Sequence, residues 1–169
     1  ANLGGLVGAD QHCQRLAQAA GAGNRIWRAY LSTVGVGTAV CVNARTRIGQ
    51  GPWRNARGQI IANNVDQLHG NNNLNKQTAL TERGALINGR GDTPNMHDML
   101  TGSTMDGRCF PPGTDMTCGN WTRNGDGAAQ VGHHDREGLD NSAAARSNTL
   151  RACARSFAAS SSKSCLGRT

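Results

Sequence analysis

The first thirty-two residues constrain this chain more than any other stretch. Gly4-Gly5-Leu6-Val7-Gly8-Ala9-Asp10-Gln11-His12-Cys13 carries glycines at 4, 5 and 8 that let the backbone turn sharply, and Asp10 is of a type that caps helix starts. Cys13, Leu16, Ala17 and Ala20 then recur at helical spacing, and Gly21-Ala22-Gly23 stops the run. Ile26 to Ser32 reads as a strand, with Trp27, Ala29 and Leu31 on one face and Arg28 and Tyr30 on the other. The order is loop, helix, strand.

The remainder reads as short elements separated by turns. Val34-Gly35-Val36-Gly37 is a turn, Asn43 to Ile48 a helical turn ended by Gly49, and Trp53 to Ile61 a hairpin whose turn holds Gly58. Asn71-Asn72-Asn73-Leu74-Asn75 is polar enough to be an exposed loop, and its asparagines tolerate left-handed backbone. Asn124-Gly125-Asp126-Gly127 is a tight turn, Ser142 to Ala154 has the alanine content of a local helix, and Ser160 to Ser164 is an exposed low-complexity run. With 23 Gly, 16 Asn and 4% aromatic residues, regular structure must be sparse. Residues 1–169 form one α+β domain, with short twisted strands and one or two helices.

A loop-rich chain has little apolar area to offset its ordering entropy, so covalent cross-links matter. Six cysteines, Cys13, Cys41, Cys109, Cys118, Cys153 and Cys165, contain no Cys-x-x-Cys pair, which argues against a zinc ribbon or a redox dithiol. They read as disulfides, hence a secreted, periplasmic or outer-surface protein, and Ala1 reads as a start left by signal-peptide removal. No apolar run approaches the ~20 residues that span a bilayer. Six cysteines allow 15 pairings, which spacing does not resolve.

The opening block resembles the start of endostatin and of bacterial endostatin-like outer-membrane and secreted proteins. Gly58-Gln59-Ile60-Ile61, Asp66-Gln67-Leu68-His69-Gly70, Leu86-Ile87-Asn88-Gly89, His97 to Ser103, Cys118-Gly119-Asn120-Trp121-Thr122 and Gln130 to Asp135 follow in that family's order. The resemblance covers about residues 4 to 165 and implies a C-type-lectin-like fold. It pairs Cys118 with Cys165, and it leaves Cys41, Cys109 and Cys153 as additions that, with Cys13, make two more bridges or leave Cys13 free or linked to another chain. It also sets a final strand where the chain ends at Leu166-Gly167-Arg168-Thr169, so that strand is expected to be missing and a sheet edge open.

For chemistry, His133-His134-Asp135 is the natural metal or acid-base candidate, with His97-Asp98 and His69 as helpers if the fold gathers them. Consecutive histidines on a strand face opposite ways, and the family places this stretch in the core, so His97, His133, His134 and Asp135 are metal candidates secondary to a structural role. Asp92, Asp98, Asp106, Asp115 and Asp126 lack EF-hand spacing, and Thr93-Pro94-Asn95 lacks the carboxylate of the calcium-lectin motif. No Gly-x-Ser-x-Gly elbow occurs, and the chain is expected to be no enzyme and to need no cofactor. Arg90-Gly91-Asp92 matches the integrin tripeptide, although Asp92 also suits capping of the turn before Pro94, and Asn120-Trp121-Thr122 is formally a glycosylation sequon.

The net charge is +7 and the pI about 9.7, with 16 Arg against 2 Lys. Arginine forks suit carboxylates and sulfates, and local groups stand at Arg25 and Arg28, at Arg45, Arg47, Arg54 and Arg57, and at Arg146, Arg151 and Arg155. The expected function is a non-catalytic adhesion module for extracellular macromolecules, either matrix protein or acidic polysaccharide, with Arg45, Arg47, Arg54 and Arg57 as contacts and nucleic acid disfavoured. The rival is a subunit of a self-assembling structure completed by strand exchange at the open edge.

Overall fold

The computed structural model describes residues 2–135, 148–150, 153 and 165–167. Its helices are α1 (Gly5–Ala19), α2 (Ala44–Arg47), α3 (Val65–His69) and the single turn α4 (Cys118–Trp121). Its strands are β1 (Trp27–Ala29), β2 (Trp53–Arg54), β3 (Ile60–Ala62), β4 (Asp98–Leu100), β5 (Ala129–His133), β6 (Asn148–Leu150) and β7 (Cys165–Gly167). They pair antiparallel as β1-β7, β2-β3 and β4-β5-β6. Few helices and short strands make an α+β domain. Among the described residues no helix is long and apolar enough to cross a membrane.

Helix α1 lays Ala9, Cys13 and Ala17 against β1, and these small side chains at intervals of four let the two backbones approach closely. Asp10 is not a cap. The helix starts five residues earlier, after a left-handed Gly4, and the Asp10 carboxylate reaches outward to accept from Ala29 N at 2.9 Å. The strand is shorter than the Ile26 to Ser32 expected, but the alternation runs on past β1 and divides the interior in two. Ala29 and Leu31, with Trp27, join Leu100, Trp121 and Val131 in one core, while Tyr30 turns to the other, with Ile48, Trp53, Ala62 and Leu68.

The disulfides are Cys13–Cys165, Cys41–Cys109 and Cys118–Cys153, so the expected Cys118–Cys165 bridge is incorrect. Sheet register is the reason. Ala29 lies opposite Cys165, which puts Cys165 over the α1 face that carries Cys13. An isolated bridge holds Thr117 against Ala129, Ala129 is opposite Leu150, and Cys153 N donates to Gly125 O, so the chain leaving β6 arrives beside Cys118. The same register corrects the open edge: Cys165–Gly167 is itself the strand that covers β1.

Two local expectations also change. Asn148–Leu150 is a strand where the alanine content suggested helix, because β5 offers it a ladder. The rest of Ser142 to Ala154, apart from Cys153, lies outside the described residues, as do Ser160 to Ser164 and Arg146, Arg151 and Arg155. Asn72 is buried rather than exposed. It donates to Leu68 O, accepts from Leu74 N, and so closes the end of α3, with no left-handed asparagine in the loop.

Candidate functional site

The register of β4 against β5 sets Asp98 directly opposite His133, on one face of the sheet, and His97 just before β4 stacks its ring on His133 at 4.1 Å between centroids. Asp98 Oδ1 lies 2.9 Å from His133 Nε2 and 3.6 Å from His97 Nε2. One donor atom from each of the three residues falls within 4.8 Å of the others, and no other such group of three or more occurs among the described residues. The Asp98 side chain is 48% exposed, so the cluster opens to water on its carboxylate side.

Behind it stands Asp135. Its Oδ1 faces His97 Nδ1 at 3.2 Å, and its Oδ2 accepts from Arg90 N. Gly89 makes this possible, since a β-carbon there would sit 2.4 Å from Oδ2. Burial pushes the Asp135 carboxyl up, but the Arg90 amide and the neighbouring histidines outweigh that and hold it below the usual range. The contact sets His97 Nδ1 against Asp135 and leaves Nε2 to face Asp98.

The four metal candidates therefore separate. His97 and His133 meet, and Asp98 joins them across the ladder. Asp135 orients His97 from behind, while His134, just past the end of β5, is 1% exposed and outside the group. His69 is elsewhere, with Nδ1 donating to Val65 O at 2.7 Å and Nε2 accepting from the Tyr30 hydroxyl at 2.7 Å. Desolvation lowers its pKa, in keeping with a neutral ring packed beside Tyr30.

The arginine group does not form one face. Arg47 is 8% exposed, holds Asp10 at 2.6 Å and donates to Ala29 O, so it is a structural cation and not a ligand contact. Arg45 pairs with Asp66 at 3.1 Å and donates to Asp106 O. Arg54 and Arg57 are exposed on the β2–β3 hairpin and donate only to the carbonyls of Gly58 and Gly84. Among the described residues no carboxylate pairs with Arg25, Arg54 or Arg57.

Two adjoining hollows of about 490 and 530 Å³ share Asn24 and Arg25. One lies over Ile48 and Trp53. The other runs between the end of α1 and the hairpin, past Trp27, Arg54 and Glu82. Arg25 was legible as a local basic residue, but its place at the junction of the hollows depends on how the hairpin packs under α1.

The remaining motifs are held internally. Asp92 accepts from Gly89 N and from Lys76, which lower its pKa in that order, so it closes the turn before Pro94. Asp106 is bound by Thr104 and Arg108, and Asp115 by Thr117 and Gly119, so the aspartates do not gather around one cation. Asn120 accepts from Val34 N at 2.7 Å and donates to Val34 O, which occupies the amide a glycan would need. Trp121 is fully buried beside the Cys118–Cys153 bridge, with its indole donating to Ser32 O. Neither a scan against family models nor a search of curated proteins finds a match for this chain.

Proposed function

We propose that this chain is an extracellular, non-catalytic binding module with an endostatin-like, C-type-lectin-like fold, and that it holds acidic polysaccharide along the cleft beside Arg25 and Arg54. The observation that carries the reading is that, among the described residues, no carboxylate pairs with Arg25, Arg54 or Arg57, while Arg25 and Arg54 line hollows next to partly apolar walls. Guanidinium forks match sulfate and carboxylate in a way that a lysine point charge does not, and the exposed face of Ile26 and the side of Trp27 offer apolar ground between the charges. Three disulfides suit an oxidising compartment. The strand-exchange rival has less support, because one edge of β1 is already paired with β7.

Titration of a sulfated, uronate-containing oligosaccharide into the intact chain at 50 and 200 mM salt tests this. Three charge contacts at roughly 0.5–1 kcal/mol each predict a loss of about 30-fold in affinity for the Arg25→Ala, Arg54→Ala, Arg57→Ala triple variant. The wild type should weaken by about 20-fold over that salt range, and the variant hardly at all. Absence of binding at low salt, or binding indifferent to the three substitutions, would overturn the reading. So would binding of a matrix protein that the oligosaccharide does not displace.

A further inference from the structure

We propose that His97, Asp98 and His133 form a zinc site with three protein ligands and one open position. The site shares no residue with the arginine cleft and stands or falls independently of it. Zinc at its usual 2.0–2.1 Å bond lengths with tetrahedral angles holds neighbouring donor atoms about 3.3 Å apart. The Asp98 oxygen lies 2.9 and 3.6 Å from the two imidazole nitrogens, which brackets that spacing. Two of the three donors are nitrogen, whereas calcium and magnesium take shells of six or more oxygens. The donor chemistry points to zinc, and the donor atoms already lie close to the spacing it needs.

The surroundings strengthen this. A ligating histidine that donates its other ring N–H to a buried carboxylate is fixed in tautomer and made more basic, and Asp135, whose side chain is 3% exposed, stands in that relation to His97. The carboxylate is itself held by the Arg90 amide, over a glycine that leaves it room. A hydrogen-bonded structural histidine needs no such arrangement with a second, half-exposed carboxylate at its other nitrogen. The stacked rings differ by 11° in plane, so a metal lying in the plane of both requires His133 to swing out of the stack, while Asp135 keeps His97 in place. Asp98 is the most exposed of the three ligands, so a fourth ligand to the zinc would come from solvent on its side.

The experiment uses the intact, disulfide-bonded chain, stripped with chelator and titrated with Zn²⁺ alone by calorimetry. One zinc per chain is expected. Asp98→Asn and His133→Gln should each weaken binding at least tenfold, and Asp135→Asn by about 10- to 100-fold at unchanged stoichiometry. Co²⁺ in place of zinc should give a tetrahedral absorption band that His133→Gln removes. Should His133→Gln fail to fold, Asp98→Asn carries the test, since its side chain is half exposed. No binding with zinc in tenfold excess, or equal affinity in wild type, Asp98→Asn and His133→Gln, would overturn the site. Calcium binding that Asp98→Asn abolishes, without zinc binding, would overturn it equally.

Discussion

Replacing Asp10 by alanine should destabilise the fold more than any other single change on the surface of α1. Asp10 Oδ2 holds Arg47 at 2.6 Å and Oδ1 accepts from Ala29 N at 2.9 Å, while Arg28 stands farther off at 3.7 Å. The Arg47 side chain is only 8% exposed, so the substitution leaves a guanidinium without its counter-charge in the space between α1, β1 and α2. Breaking a buried pair costs about 3–5 kcal/mol. Asp10 is 23% exposed, and water entering its place takes the loss to the lower end, about 3 kcal/mol. The lost acceptor for Ala29 N adds about 1 kcal/mol. Arg47→Met should cost less, roughly 1–2 kcal/mol, because the carboxylate keeps the Ala29 amide, Arg28 and some water. The double variant should then cost about 4 kcal/mol rather than the sum, a coupling of roughly 1–2 kcal/mol. Urea unfolding followed by tryptophan fluorescence, with disulfides intact, measures all four corners of the cycle. A loss below about 1 kcal/mol for Asp10→Ala, or additivity within error, would refute the argument. Polysaccharide binding offers a second check: Arg47→Met should leave it unchanged, and a tenfold loss would restore Arg47 as a contact.

Two further predictions concern the turn that carries Trp121. Asp115 accepts from Thr117 N, Thr117 Oγ1 and Gly119 N at 2.7–2.8 Å, bracing residues Cys118 to Trp121, which all have positive φ. Asp115→Asn should therefore cost about 1–2 kcal/mol at pH 7 in a urea melt. Burial raises the Asp115 pKa, but the Thr117 and Gly119 bonds outweigh it, and the folded value lies below the unfolded one. That contribution is present above the unfolded pKa of about 3.9 and is lost as pH falls through the folded value, so the gap between wild type and variant should narrow on acidification. Gly102→Ala would set a β-carbon 2.6 Å from Trp121 Cζ2 and 3.0 Å from Thr117 Cγ2 on a residue with φ of 58°. Overpacking and left-handed strain together should cost about 3 kcal/mol, a fall of roughly 6–12 °C in melting temperature by calorimetry. An unchanged melting temperature would mean that Trp121 moves aside.

The sequence was most legible where one residue's environment is decided by its near neighbours. Trp27, Ala29 and Leu31 alternate with Tyr30, and because both sides of β1 face a core, the period-2 reading assigned each side chain to its correct side. Gly58 supplied the turn of the β2–β3 hairpin for the same kind of reason. Asp10 shows where this stops. Its helix-start signal is a local preference of modest energy, whereas a buried guanidinium more than thirty residues away offers it more. Cys165 fails for a related reason, since a disulfide partner follows from the pairing of β7 with β1, and nothing within a few residues of Cys165 encodes that pairing.

The histidine cluster combines both kinds of information. That His133 and His134 diverge was readable, because alternation along a strand is local. That Asp98, rather than Asp135, lies in reach of His133 was not, because it depends on the β4–β5 register across a gap of thirty-five residues. A slip of one residue in that register would bring Met99 opposite His133, exchange the faces of Asp98 and Met99, and bury a carboxylate where Met99 now packs. Leu100, on the same face as Asp98, packs opposite Val131 in the first core and so fixes the register, and that register sets Asp98 beside His133 at the end of the ladder. On this argument the cluster and the core are not independent: Met99→Asp should disturb the ligand geometry through the ladder and weaken zinc in the same titration, although Met99 is not one of the three proposed ligands.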